Sequence, residues 1–308
     1  MNLNWIKLEP GSEWRLSGDG HWHVAANWTG GIPNGPDVFA IFGNTSATRT
    51  ITVNAPATVG HMLFDSPVKY TIGASGGTTP VTFQVSSGVD TARILALQGS
   101  HDFNAPVSLA STLTVEVADA VRTVAFLGTV TGSGGLVKVG PGAMTLRAAA
   151  NTYTGGTTVL AGRLTVPNTG GSLGPGLLTV ASGATVNLQV PTVTVSGLSG
   201  SGTINLGFAS PVTNTTLRVQ GTASSAFSGR IQDVTGAAGR LEVGGGATLD
   251  LRSQNTHSGG TTINTGGRIE VSHPLCLGTG PLTLNGGTLA RPPLAPGLLG
   301  RYYHGYDS

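Results

Sequence analysis

The stretch Gly134-Gly-Leu-Val-Lys-Val-Gly-Pro-Gly-Ala-Met-Thr-Leu146 is followed by Asn151-Thr-Tyr-Thr-Gly-Gly-Thr-Thr-Val159, and both return later in the chain. The second copies are Gly239-Arg-Leu-Glu-Val-Gly-Gly-Gly-Ala-Thr-Leu249 and Asn255-Thr-His-Ser-Gly-Gly-Thr-Thr262. Asn151 and Asn255 stand 104 residues apart, and Gly155-Gly156 matches Gly259-Gly260 at the same step. Leu173-Gly174 and Leu277-Gly278 also keep it, so the clear repeats occupy 134–188 and 239–289. Self-similarity over a long period marks a repeat architecture.

Within each copy the apolar residues alternate. Leu164-Thr-Val166, Leu178-Thr-Val180, Val186-Asn-Leu188 and Ile204-Asn-Leu206 all have period two, the pattern of half-buried strands. Gly, Asn, Ser or Pro falls between nearly every pair of runs and supplies tight turns. No window carries a helix-length apolar face with a 3.6-residue period. Many short strands with a long repeat predict an all-β chain, a single-stranded right-handed parallel β-helix. Parallel crossovers are expected to be right-handed, and the turns to be about 20 residues long. The 104-residue step then corresponds to about five turns. Asn151 and Asn255 are expected at corners, where side-chain amides satisfy backbone groups.

The order of these pieces, with Ala226-Phe-Ser-Gly-Arg-Ile231 before the second copy, resembles the passenger-associated transport repeat of bacterial autotransporters. The two units cover about a third of the chain. The resemblance implies a parallel β-helix and export to the cell surface or beyond it; it implies no catalytic residues.

Three segments follow: a Trp-rich cap over 1–43, the β-helix over 44–290, and a Pro-rich linker with a Tyr-rich tail over 291–308. All four tryptophans, Trp5, Trp14, Trp22 and Trp28, lie in the first. Bulky aromatics there would cover the open end of the stack, which solenoids need. As exposed faces, Trp14, Trp22 and Trp28 would instead be ligand-binding candidates for surface glycans. His21 and His23 would share one face of an extended strand, making them metal candidates, with no third ligand nearby in sequence. The first fourteen residues lack the pattern of a signal peptide.

Charged residues make up 10% of the chain, with 16 basic against 14 acidic and a net charge of +2. That balance gives no electrostatic case for nucleic acid or for membrane insertion. Cys276 is the only cysteine, so no disulfide framework or cysteine metal site is expected. Acidic residues are scattered singly, whereas a hydrolase needs two carboxylates facing each other across a bond. No catalytic residue and no cofactor is therefore expected. The reading is a non-catalytic extracellular rod, adhesin stalk or fibre subunit, with a carbohydrate-binding or polysaccharide-degrading module as the alternative.

Pro296-Gly-Leu-Leu-Gly-Arg-Tyr-Tyr303 resembles the first strand of a PA14-type domain, a β-sandwich associated with glycan binding. Tyr302, Tyr303 and Tyr306 are expected to serve assembly. The chain would pair with itself, by end-to-end stacking into filaments or by exchange of the C-terminal strand.

Overall fold

A computed structural model describes residues 11–86 and 91–291; Trp5, the PA14-like stretch and Tyr302, Tyr303 and Tyr306 lie outside them. The described chain is all-β, with only two short 3-10 turns, Ala25–Asn27 and Ser75–Gly77. It winds as a parallel β-solenoid with three faces. The first is a continuous 13-stranded sheet from Ser12–Glu13 to Thr288–Ala290. The second has 10 strands, from Gly20–His21 to Arg230–Asp233. The third is made by a 4-stranded sheet from Ala57–Val59 to Val130–Gly132 and a 5-stranded one from Thr192–Val195 to Leu282–Asn285. Between them, Thr152 and Thr154 donate to Val130 and Gly132, so the third face stays laddered without regular strands.

Ala92, Leu113, Leu136, Thr157, Leu178 and Leu198 lie one above another on the first face. Each turn there takes 20 to 23 residues, as the repeat length suggests. The period-two alternation sends one apolar set inward: Leu113, Val115 and Val117 are fully buried, as are Leu164, Val166, Val186 and Leu188. Stacked rungs thus form a single core running along the axis. Towards the N-terminal end it holds aromatic rings, Phe42 on Phe64 at 4.8 Å and Phe103 on Phe126 at 5.1 Å. His101 joins them, stacked 4.4 Å from Phe64. Its Nδ1 accepts from the Tyr70 amide, and burial pulls its pKa down to about 4.

The aromatic segment is the first turn of the solenoid, with no break near residue 43. Ser12–Glu13 pairs with Phe39–Phe42, and Gly20–His21 with Arg49–Val53. Trp28 Nε1 donates to the Trp22 carbonyl at 2.7 Å, and Trp22 Nε1 to that of Pro33 at 3.0 Å. Both indoles pack on Phe42, closing the N-terminal end of the core.

The two repeat copies do not sit on the same faces. Leu136–Val139 lies on the first face and Ala143–Leu146 on the second. Their counterparts, Arg240–Gly244 and Thr248–Leu251, lie on the third and first. The step between copies is therefore four turns and two further faces, one face short of the five turns that the repeat length suggests. The cause is an insertion: the hairpin Phe208–Ala209 with Val212–Thr213, the one antiparallel strand pair described, lengthens the turn between Gly200 and Phe227. Each face asks the same thing of a strand, an alternate apolar residue pointing inward. A strand–turn–strand unit therefore docks equally well one face further round.

Candidate functional site

The repeat corners are built alike in both copies. Asn151 Oδ1 accepts from the Val130 amide at 2.7 Å, and its Nδ2 donates to the Ser172 carbonyl at 2.8 Å. Asn255 Oδ1 accepts from the Ile231 amide at 2.8 Å, and its Nδ2 donates to the Cys276 carbonyl at 2.6 Å. Each asparagine is buried and ties together three consecutive turns: the one below, its own and the one above. Two residues on, Tyr153 and His257 repeat a second contact, to Thr157 Oγ1 at 2.6 Å and Thr261 Oγ1 at 2.9 Å. Burial lowers the His257 pKa and keeps its imidazole neutral.

Gly156 and Gly260 adopt φ of 83° and 97°, which a side chain would strain. Gly155 and Gly259 lie against the backbone of the turn below; a Cβ on Gly259 would come within 2.6 Å of the Ala238 carbonyl oxygen. These six residues serve architecture.

Trp14, Trp22 and Trp28 are only 4%, 0% and 2% exposed. Their expected role as a glycan platform is corrected: the ring faces are consumed in the end of the core. The metal pairing of His21 with His23 also loses its premise, because the strand stops at His21. His23 lies in a turn, held by its amide on Asn54 Oδ1 at 2.9 Å. The turn lets Trp22 roll inward. Among the described residues, no group of three His, Cys, Asp or Glu converges on a point.

Lys138 was not singled out by sequence. Its side chain points inward, where the second copy has Val243, and is fully buried. The ammonium donates to the carbonyls of Val139 at 2.6 Å, Gly140 at 2.8 Å and Ala161 at 3.4 Å. Desolvation pulls its pKa from 10.5 down to about 8, with Glu116 opposing. Between those values the unfolded chain binds the proton that the folded chain has released. Stability therefore rises as pH climbs from about 8 towards 10.5. Lys138→Met should remove that rise, worth at most about 1.4 kcal/mol per pH unit. Urea midpoints at a series of pH values check it, and parallel wild-type and variant curves would contradict it.

The outward faces carry neutral ladders. Gln232 donates to Asn205 Oδ1 and Asn205 to Asn187 Oδ1, both at 2.8 Å, and Thr179 pairs with Ser199 at 2.7 Å. Charge gathers at a shallow cleft of about 250 Å³ on the first face, lined by Ser224, Ser225, Thr248, Asp250, Arg252 and Glu270. Asp250 and Glu270 are neighbours on adjacent strands. Asp250 takes Arg252 Nε and Ser272 Oγ, both at 2.6 Å, and Glu270 takes Arg268 Nε at 3.1 Å. The pairs compensate each other's charge, and the Arg252 side chain remains half exposed at the rim of the cleft. Sequence reading missed this cluster because Asp250 and Glu270 are one turn apart, and only the turn length brings them together.

Comparison with known proteins agrees with the corner geometry. The family model described as passenger-associated-transport-repeat matches residues 136–166 and 241–271, the two segments that carry the asparagine corners. The chain is similar to the Adhesin BmaC autotransporter of Brucella suis biovar 1 (strain 1330), at 34% identity over 190 residues. That alignment covers 57% of this chain and 5% of the much longer relative. No solved structure matches it.

Proposed function

Taking as premise a chain that carries two passenger-associated transport repeats, we propose that it is a segment of a surface-exposed bacterial passenger. It acts as a non-catalytic rod that holds an adhesive part of the molecule away from the cell. The observation that carries this reading is the unbroken 13-stranded ladder, with a single axial core and amide and hydroxyl ladders on its flanks. Such a body is stiff along its axis and electrically quiet at its sides. The similarity to an autotransporter adhesin supports the surface location. Rungs about 4.8 Å apart give a length of roughly 60 Å.

The test inserts the chain between a surface anchor and a terminal epitope on a bacterial cell. Antibody-label height above the membrane should increase by about 60 Å over a fusion lacking the chain. An unchanged height would sink the spacer reading.

The cleft at Asp250 and Arg252 favours a second reading, a lateral glycan site. Paired carboxylates and a guanidinium edge are the groups that hydrogen-bond sugar hydroxyls. On a glycan array, binding that disappears in Arg252→Ala would establish it, and an array blank for the wild type would leave only the rod.

A further inference from the structure

The two repeat corners differ at a position that can carry a proton. Tyr153 and His257 are both fully buried, and each ring bonds the hydroxyl four residues on, at Thr157 and Thr261. Each ring is also pressed against a glycine of the turn above. A Cβ on Gly174 would come within 2.9 Å of the Tyr153 ring, and one on Gly278 within 2.8 Å of the His257 ring. The recurring Leu-Gly pair thus makes room for these rings.

The two rings answer acid differently. A phenol stays neutral at every acidic pH, and burial raises the Tyr153 pKa further. An imidazole that reaches water takes up a proton near its ordinary value of 6.5. Thr261 Oγ1 donates to the Leu277 carbonyl at 2.8 Å, so it accepts from His257 Nε2, and Nδ1 is left to receive the proton. Nδ1 has no hydrogen-bond partner among the described residues. Burial disfavours the charged ring and outweighs the Asp233 carboxylate and the Ile231 carbonyl, which favour it from the turn below. Both are already engaged: the carbonyl takes the Thr256 amide, and Asp233 takes Ser258 and the Gly239 amide. Asp233 is the charged group that acts on the ring; above it stands Gly278, and on its own turn Thr261. A charge on His257 is therefore best accommodated when the corner opens.

We propose that the second corner is an acid-released latch: protonation of His257 frees residues 255–261 from the turns above and below, while the Tyr153 corner stays shut. The bonds released join the Asn255 amide to Leu275, the Thr256 amide to Ile231 and the Thr261 amide to Pro281. The closed corner keeps the imidazole neutral, and the open one binds a proton below 6.5. The hold is therefore complete above that value and is lost progressively as pH falls beneath it.

Hydrogen exchange on the full chain, read by mass spectrometry as protection relative to the free amide at each pH, tests it. Protection of 255–261 should fall by up to about tenfold per pH unit below 6.5, while that of 151–157 holds. His257→Tyr, which copies the first corner, should remove the fall, and Tyr153→His should install one at 151–157. Protection of Leu113–Val117 should be the same in every variant, showing that the rod remains folded. His101 is buried too, but it lies on the strand His101–Phe103, and peptides over 255–261 do not report on it. The proposal is overturned by unchanged protection of 255–261 between about pH 7 and about pH 5, or by an equal fall at both corners of the wild type. A fall that persists in His257→Tyr would belong to Asp233 and overturns it as well.

Discussion

Asn255→Ala is expected to lower the unfolding free energy by about 2–4 kcal/mol, the range for leaving buried backbone groups without partners. The substitution strands the Ile231 amide and the Cys276 carbonyl, in turns above and below the corner. Neither reaches water easily, because Asn255 itself is only 2% exposed. Asn255→Asp separates the two bonds. An aspartate keeps the acceptor for Ile231 but brings a charge against the Cys276 carbonyl, so it should be worse than alanine at neutral pH and recover when protonated. Urea denaturation of the three proteins gives the answer. A loss below about 0.5 kcal/mol in Asn255→Ala would be that of an ordinary surface site, and the corner would then carry no special weight. Asn151→Ala, removing the same pair of bonds in the first copy, should cost a similar amount.

Trp22→Ala should be as damaging, at about 3–5 kcal/mol, the usual cost of emptying a large aromatic site. Trp22 is fully buried, touches Trp28 at 4.9 Å between ring centres, and closes the core above Phe42. Its removal opens the first turn to water, and repeat structures depend on their terminal covers. The loss should be local at first, with amides of Phe39–Phe42 exchanging faster while those of Arg268–Val271 do not. Trp22→Phe should recover part of the stability, since the ring remains and only the bond to Pro33 is lost. If Trp22→Ala unfolds at the wild-type urea midpoint, the indoles do not close the core.

The β-solenoid was legible because strand alternation and the recurring Asn-Thr-x-x-Gly-Gly-Thr-Thr motif report the same physical demand in every turn. The corner role of Asn151 and Asn255 was legible for the same reason: a short amide between turn glycines has few uses other than bonding backbone. The rotation of one copy by a face was hidden, since it depends on the lengths of intervening turns and on the hairpin at 208–213. Lys138 was hidden by its chemistry. A lysine flanked by valines reads as the outward member of an alternating pair, yet it is Val137 and Val139 that flank an inward ammonium held by carbonyls. His21 and His23 misled because alternation was extended through a stretch that turns to bury Trp22.

Small-angle X-ray scattering of the purified chain over a concentration series tests the central claim, a single stiff rod, most directly. The account predicts an elongated profile with a maximum dimension near 60 Å, set by rungs about 4.8 Å apart. A compact, near-spherical profile would contradict the stacked ladder.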